Sequence, residues 1–367
     1  MKRKILHIGK YYYPFKGGIE TVTKEICETL KHEFEFTVLV SNSDKTEKVE
    51  TINEIKVIRI PCYGKISNMP VSISFLKWLK RLDFDLIHVH MPTPLAELSC
   101  LLSNTNKKII ASYHSEMYKR GSILYKPFQK RFLRKVSRIL AATKNHYIYS
   151  KVLQDFMEKV EVIPYSINEN KFRDKANMVN PFSNLENSFN ILYVGRLTEY
   201  KGVNYLIESM KYVDAGSIIH IVGTGKLENE YKSLVSRLKI EDRIIFHGEV
   251  DNDKLLGYYK YCDAVVLPSI DVGEAFGIVQ LEGMASGKPV INTSLKSGAP
   301  LVSINNETGL TVPPKDARAL ADAIMKLKND PALADKFGKN GIERISKFFS
   351  KEKIMGEYRE LYYSLLD

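Results

Sequence analysis

Cysteine is scarce in this sequence. Cys27, Cys62, Cys100 and Cys262 are the only four in 367 residues, with no C-x-x-C pair and no metal-ligand spacing among them. That pattern excludes a disulfide scaffold and a structural zinc site, and leaves four thiols of the kind usually buried in cores. No apolar run reaches the roughly 18 residues of a membrane span. The opening Met1-Lys-Arg-Lys-Ile-Leu-His-Ile-Gly9 enters a strand with no signal-peptide stretch, so the chain is expected to stay in the cytoplasm. The dinucleotide fingerprint G-x-G-x-x-G is absent, as are internal repeats and low-complexity tracts. Acidic residues are missing altogether from Met117 to Gln154.

What is present is an ordinary globular composition, 44% hydrophobic and 26% charged. The length suits two domains of about 150 to 200 residues each. The net charge of +11 is unevenly spread: residues 1–170 hold 28 Lys and Arg against 17 Asp and Glu, whereas residues 171–367 hold 26 of each. The excess therefore belongs entirely to the first half.

Short β-branched runs alternate with amphipathic stretches, the pattern of parallel sheets with crossover helices. Strands are expected at 5–8, 36–40, 57–60, 86–90, 109–113, 139–142 and 160–164. A second series runs at 190–195, 218–223, 243–247, 264–268, 289–293 and 310–312. The fold class is thus α/β, one doubly wound Rossmann-like unit over residues 1–168 and another over 169–349, with a polar linker at Asn168–Asn190. The tail 350–367 carries Ile354, Met355, Tyr358, Leu361 and Tyr362 at helical spacing and is expected to dock on the first unit. Doubly wound sheets bind ligands at the carboxyl ends of their strands, so the loops after these strands are where chemistry is sought.

The first such loop contains Gly273-Glu-Ala-Phe-Gly-Ile-Val-Gln-Leu-Glu282, two carboxylates separated by seven uncharged residues. If Ala275–Ala285 is one helix, Glu274 and Glu282 stand about 12 Å apart along its axis and roughly 80° apart around it. Two acceptors so placed suit the hexose and ribose ends of a nucleotide sugar. The backbone N–H groups of Ala275, Phe276, Gly277 and Ile278, at the start of that helix, could meet the phosphates or sugar hydroxyls. A helix-capping acid plus an unrelated glutamate is the alternative, although the small, apolar Gly283-Met-Ala-Ser-Gly-Lys-Pro-Val that follows argues for an embedded Glu282 with a partner.

Gly195-Arg-Leu-Thr-Glu-Tyr-Lys-Gly202 follows another strand, and its Arg196 and Lys201 either clamp a diphosphate or are surface charges. Ile221-Val-Gly-Thr-Gly-Lys226 places Gly223 and Gly225 in a turn where a ligand could approach the backbone. Gly17 and Gly18 open a helix in the first unit. His90 and His114 end strands, while His88 shares a face with His90 and lies deeper, a core position.

Glu274 through Glu282 with the following segment resembles the E-x7-E motif of retaining glycosyltransferase family 4, whose members have the GT-B architecture of two Rossmann-like domains facing a central cleft. The resemblance spans essentially the whole chain. It implies that Glu274 contacts the donor sugar and Glu282 the ribose. It also implies that Arg196 and Lys201 bind the diphosphate, that Gly17 and Gly18 lie near the donor phosphates, and that Gly223 and Gly225 lie near the base. His114 would stand beside the donor sugar and Glu116 on the acceptor side. Two cations would stabilise the leaving diphosphate, so no metal and no other cofactor is expected. The first domain would take the acceptor and the second the nucleotide-sugar donor.

The segments 274–282, 290–293, 295–300 and 113–116 look most like bacterial mannosyltransferases of polysaccharide or O-antigen assembly, which points to GDP-mannose, with UDP-sugars left open. Alternatives of another class are a UDP-N-acetylglucosamine epimerase-like enzyme and a catalytically silent sugar-nucleotide-binding protein. Segment 119–138 reads as a basic amphipathic helix with Lys119, Arg120, Lys126, Lys130, Arg131, Arg134, Lys135 and Arg138. Phe128, Phe132, Leu133 and Val136 would supply its apolar surface. A peripheral contact with anionic membrane, where a lipid-linked saccharide acceptor would sit, is expected from it; nucleic acid is not.

Overall fold

The computed structural model describes residues 2–15, 17–66, 69–114, 122–173, 178–185 and 187–367. They form two units, Met1–Tyr165 with Glu352–Asp367, and Ser166–Lys351. Each is built on one predominantly parallel sheet clothed by helices, the α/β class expected.

In the first unit the strand order is Val160–Val162, Arg138–Ala141, Lys108–Tyr113, Leu86–Met91, Arg3–Gly9, Phe34–Ser41, Ile55–Ile60 and Lys48–Ile52. All neighbours are parallel except the last pair. Lys48–Ile52 escaped the sequence reading. It is a polar edge strand, and its turn at Asn53 and Glu54 takes φ of 51° and 74° without the glycine that marks such hairpins. Leu86–Met91 is buried along its whole length, as a central parallel strand must be. Ile87, Val89 and Met91 join one core, while Leu86, His88 and His90 face the other. The helix Lys351–Leu366 packs into that second core through Ile354, Met355, Tyr358, Leu361 and Tyr362.

The helix Ser122–Lys135 is amphipathic as expected, but its apolar side faces the core. Phe132, Leu133 and Val136 are fully inside the core, so of the four apolar residues only Phe128 is exposed. Lys130 pairs with Asp155, and Lys135 donates to the Cys100 carbonyl. Arg131, Arg134 and Arg138 stay exposed, whereas Lys119 and Arg120 lie outside the described residues.

The second unit orders its strands Ile244–Gly248, Ser217–Val222, Phe189–Val194, Ala264–Leu267, Val290–Thr293 and Gly309–Val312, all parallel. Part of the segment read as a polar linker packs here: Phe182 is buried, with its ring 4.1 Å from that of His220. Winding reverses between Phe189–Val194 and Ala264–Leu267. Loops leaving the carboxyl ends of two such strands diverge and open a crevice. Those loops carry Arg196 with Lys201, and Glu274.

Candidate functional site

At the reversal point of the second unit, Lys201 Nζ lies 2.6 Å from Glu274 Oε2, and Ser269 Oγ donates to the same oxygen at 2.7 Å. Ser269 is itself tied down, its carbonyl accepting from Thr293 Oγ1 at 2.6 Å. The Asp271 carboxylate accepts from the Gly273 N–H and its carbonyl from the Glu274 N–H, a tight turn that aims the glutamate inward. Lys201 and Glu274 are 9% and 6% exposed. Charges so buried survive only when paired and hydrogen-bonded, since desolvation costs several kcal/mol per ion. Sequence reasoning assigns the two residues separate ligands; in the structure they partner each other. A diphosphate arriving at Lys201 would share the ammonium with Glu274, which leaves the carboxylate free to accept from a sugar hydroxyl. Arg196 is exposed on the same loop, its guanidinium 3.4 Å from the Tyr200 hydroxyl.

The helix expected over 275–285 begins only at Val279 and ends at Ala285. Gly277 takes φ of +76°, and a Cβ there would sit 2.4 Å from Leu267 Cδ2, so the backbone turns before helix can start. Glu274 is consequently a loop residue, and the helical arithmetic for its position relative to Glu282 does not apply. Among the described residues, no acceptor is assigned to the N–H of Gly277 or Ile278. Ala275 and Phe276 precede them in the same turn, with Phe276 buried against Phe349. Glu282 is on the helix and half-buried; it accepts from the Tyr259 hydroxyl through Oε2. Desolvation raises its carboxyl above the usual range, partly offset by that donor.

Gly223 and Gly225 are required by packing between loops. A Cβ at Gly223 would meet the Gly195 carbonyl oxygen at 2.1 Å, and one at Gly225 the Leu197 carbonyl oxygen at 2.4 Å. What approaches their backbone is the Arg196 loop, held further by the Leu197 N–H donating to the Thr224 carbonyl.

In the first unit Gly17 caps the helix Gly18–Leu30 in extended conformation. His114 ends the strand Lys108–Tyr113, is 5% exposed, and has both ring nitrogens engaged, Nδ1 with the Tyr165 hydroxyl at 2.6 Å and Nε2 with His90 Nδ1 at 3.0 Å. A sugar hydroxyl would have to displace one of these partners. His88 is wholly buried, as the two-residue period implied. Glu116 lies outside the described residues.

Sequence reasoning missed Ser269, Tyr259 and Tyr165, which carry no motif and become visible only through their partners. The metal-free expectation also leans on the lack of an Asp-x-Asp pair, yet the sequence holds two such triplets, Asp83-Phe-Asp85 and Asp251-Asn-Asp253. Neither belongs to the site: Asp83 pairs with Lys4, Asp85 accepts from the Lys4 N–H, and Asp251 stands at the N-cap of the helix Asn252–Tyr261.

Two family models match the chain, one described as Glycosyltransferase Family 4 over residues 16–171 and one as Glycosyl transferases group 1 over residues 174–344. The chain is 27% identical to O-antigen chain mannosyltransferase C of Escherichia coli, covering 99% of both. It is 31% identical to D-rhamnosyltransferase WbpZ of Pseudomonas aeruginosa, over 95% of this chain and 92% of that one. Its fold matches sucrose-phosphate synthase of Thermosynechococcus elongatus with a TM-score of 0.82, at 23% identity and 99% coverage of each.

The chain therefore belongs to glycosyltransferase family 4, a family of retaining hexosyltransferases with the GT-B fold. That membership sets aside the epimerase.

Proposed function

We propose that this enzyme transfers mannose from GDP-mannose, without a metal ion, to a lipid-linked saccharide in cell-surface polysaccharide assembly. The observation that carries the reading is the buried Lys201–Glu274 pair at the reversal point of the second sheet. Lys201 and Arg196 hold the diphosphate and neutralise it as the glycosidic bond breaks. The N–H groups following Glu274 add donors to it, and Gly223 and Gly225 shape the turn beside the base. Glu282 takes the ribose hydroxyls, and Glu274 the hexose. Gly17, Gly18 and His114 belong to the first unit, which takes the acceptor.

Support for the sugar comes from the two relatives. One is a mannosyltransferase and the other a D-rhamnosyltransferase, and D-rhamnose is mannose lacking the C6 hydroxyl. A manno-configured hexose is common to both. Support for the acceptor comes from the O-antigen relative and from the positive charge confined to the first 170 residues. Among the described residues no helix is long and apolar enough to cross a membrane; the peripheral meeting with the acceptor rests instead on the cationic surface of the first unit. Phe128, Arg131 and Arg134 on the helix Ser122–Lys135 provide one apolar and two cationic contacts for an anionic surface.

Titration calorimetry against GDP, UDP and ADP, with EDTA present and with Lys201→Ala, tests the donor assignment. GDP binding that survives EDTA and is lost in the variant is the expected result. A preference for UDP would move the donor to a UDP-sugar while keeping the family, and a requirement for divalent metal would overturn the metal-free clamp.

A further inference from the structure

Four histidines of the first unit form an unbroken hydrogen-bonded chain, of which the proposed reaction uses only His114. From the Tyr165 hydroxyl it passes through both nitrogens of His114 to His90 Nδ1. His90 Nε2 lies 2.9 Å from His7 Nδ1, and His7 Nε2 lies 3.1 Å from the Tyr362 hydroxyl. That hydroxyl is 2.8 Å from His88 Nδ1, and His88 Nε2 is 2.7 Å from Ser112 Oγ. His7, His88 and Tyr362 have no exposed surface. Burial holds all four rings neutral by depressing their basicity, His7 to about 3.

A neutral imidazole carries one proton, and each link between two groups needs one proton. Two arrangements satisfy every link and keep the Tyr362 proton in the chain; a Tyr362 accepting from both neighbours would leave its own proton, on a side chain with no exposed surface, without an acceptor among the described residues. If Tyr165 donates to His114, each histidine in turn carries its proton on Nε2 and the chain ends by donating to Ser112. If Ser112 donates to His88, each carries it on Nδ1 and the chain ends at Tyr165. The four tautomers are therefore locked together, all Nε2–H or all Nδ1–H.

A shorter chain in the second unit has no such choice. Asn190 uses its Nδ2 to donate to the carbonyls of Leu185 and Ser188, so its Oδ1 faces His220 Nε2 at 2.9 Å and can only accept. His220 Nδ1 then accepts from His247 Nε2, and His247 Nδ1 from the Tyr258 hydroxyl. The first-unit chain ends instead in the Tyr165 and Ser112 hydroxyls, each of which can donate or accept.

His7, His88 and His90 also offer nitrogens within 4.8 Å of one another, the separation a metal ion needs. Each of those nitrogens is already spent in the chain, and a cation would break several bonds to enter.

We propose that this chain acts as one tautomeric unit that sets which nitrogen of His114 carries its proton, with Tyr362 of the C-terminal helix as the positioning residue at its centre. The proposal rests on the glycosyltransferase reading, which puts His114 beside the reacting sugar. A hydroxyl replacing Tyr165 at Nδ1 would be offered an acceptor in one arrangement and a donor in the other, because the proton on one ring nitrogen is fixed by the bond the other makes.

Nitrogen-15 NMR of the full chain labelled at histidine tests this, with His220 and His247 as internal Nε2–H references. Uniform tautomers for His7, His88, His90 and His114 are expected, and a mixed set overturns the proposal. In Tyr362→Phe the ring remains but the chain is cut, so His88 is uncoupled from the other three. Transfer by the folded variant should fall about tenfold in kcat with donor KM within about twofold, the low end of the roughly 10–100-fold loss that follows removal of the outer partner of a metal-ligating histidine. Wild-type kcat in folded Tyr362→Phe overturns the positioning role. Should that variant not fold, Ser112→Ala removes the terminal hydroxyl instead and must lower kcat in the same sense. A wild-type chain that transfers no sugar from any nucleotide sugar would fell the underlying reading, and uniform tautomers would then mark a purely structural chain.

Discussion

Acid should unfold the first unit before the second. His7, His88, His90 and His114 are all at most 5% exposed and held neutral by burial. In the second unit only His220, lowered to about 3, is as deeply buried. In the unfolded chain each imidazole titrates near 6.5 and gains a proton that the folded ring refuses. The unfolded state therefore binds more protons below that pH, and stability falls as pH falls. At pH 5.5 the loss relative to pH 8 is about 1.4 kcal/mol per ring that stays neutral, or about 6 kcal/mol for the four chained rings against about 1.4 kcal/mol for His220. His146, lowered to about 4, adds to the first unit's loss, Glu97, whose carboxyl burial raises to about 7, gives part of it back, and His247, lowered by burial, adds to the second unit's. A domain's whole stability is about 5–15 kcal/mol. Hydrogen exchange read peptide by peptide from pH 8 to 5.5, corrected for intrinsic rates, would follow each unit separately. Protection of Leu86–Met91 and Lys108–Tyr113 should drop well ahead of Phe189–Val194 and Ser217–Val222. Equal losses in both units would refute a neutral, buried histidine chain.

Other expectations concern the second unit. Lys201→Met strands the Glu274 carboxylate with, among the described residues, only Ser269 as donor, and should cost about 3 kcal/mol, lowering Tm by about 6–12 °C. Adding Glu274→Gln should restore part of it, a coupling that calorimetric melts of both single variants and the double variant would measure. Glu282 has its carboxyl raised by burial, so its stabilising contribution is complete below the unfolded range near 4.3 and is lost as pH rises through the higher folded value. Tm of the wild type minus that of Glu282→Gln should accordingly decrease between pH 4 and 7, and an increase would contradict the assignment. Gly225→Ala drives a Cβ to 2.4 Å from the Leu197 carbonyl oxygen, with a cost of about 2 kcal/mol. By displacing the Arg196 loop it should also weaken nucleotide binding in calorimetry; unchanged affinity would mean the loop packing is irrelevant to the site.

The sequence disclosed the fold through its β-branched runs, because a strand buried on both faces has little freedom in composition. Every strand of the second sheet lies on a run that could be read in advance. The polar strand Lys48–Ile52 could not, since an exposed edge imposes no such pattern. At the site, Glu274, Lys201, Arg196 and Glu282 were legible as charges in loops and helix starts after strands. Their mutual geometry was not. Gly277 decides that Glu274 lies in a loop, and a glycine inside an apolar stretch is equally compatible with a helix. The pairing of Lys201 with Glu274 depends on which strands are neighbours at the reversal point, information carried by sheet order. The histidine chain has the same origin: His7 and His88 are direct partners across adjacent strands, yet 81 positions separate them in the chain.

The most direct test of the glycosyl-transfer reading is a transfer reaction with GDP-mannose and lipid-linked saccharide acceptors in the presence of EDTA, with the new linkage read by proton NMR. The account predicts GDP release coupled to an α-linked mannosyl product, with the donor's configuration retained, and loss of that product in Lys201→Ala. A product that forms only with added divalent metal, or one with inverted configuration, would contradict it.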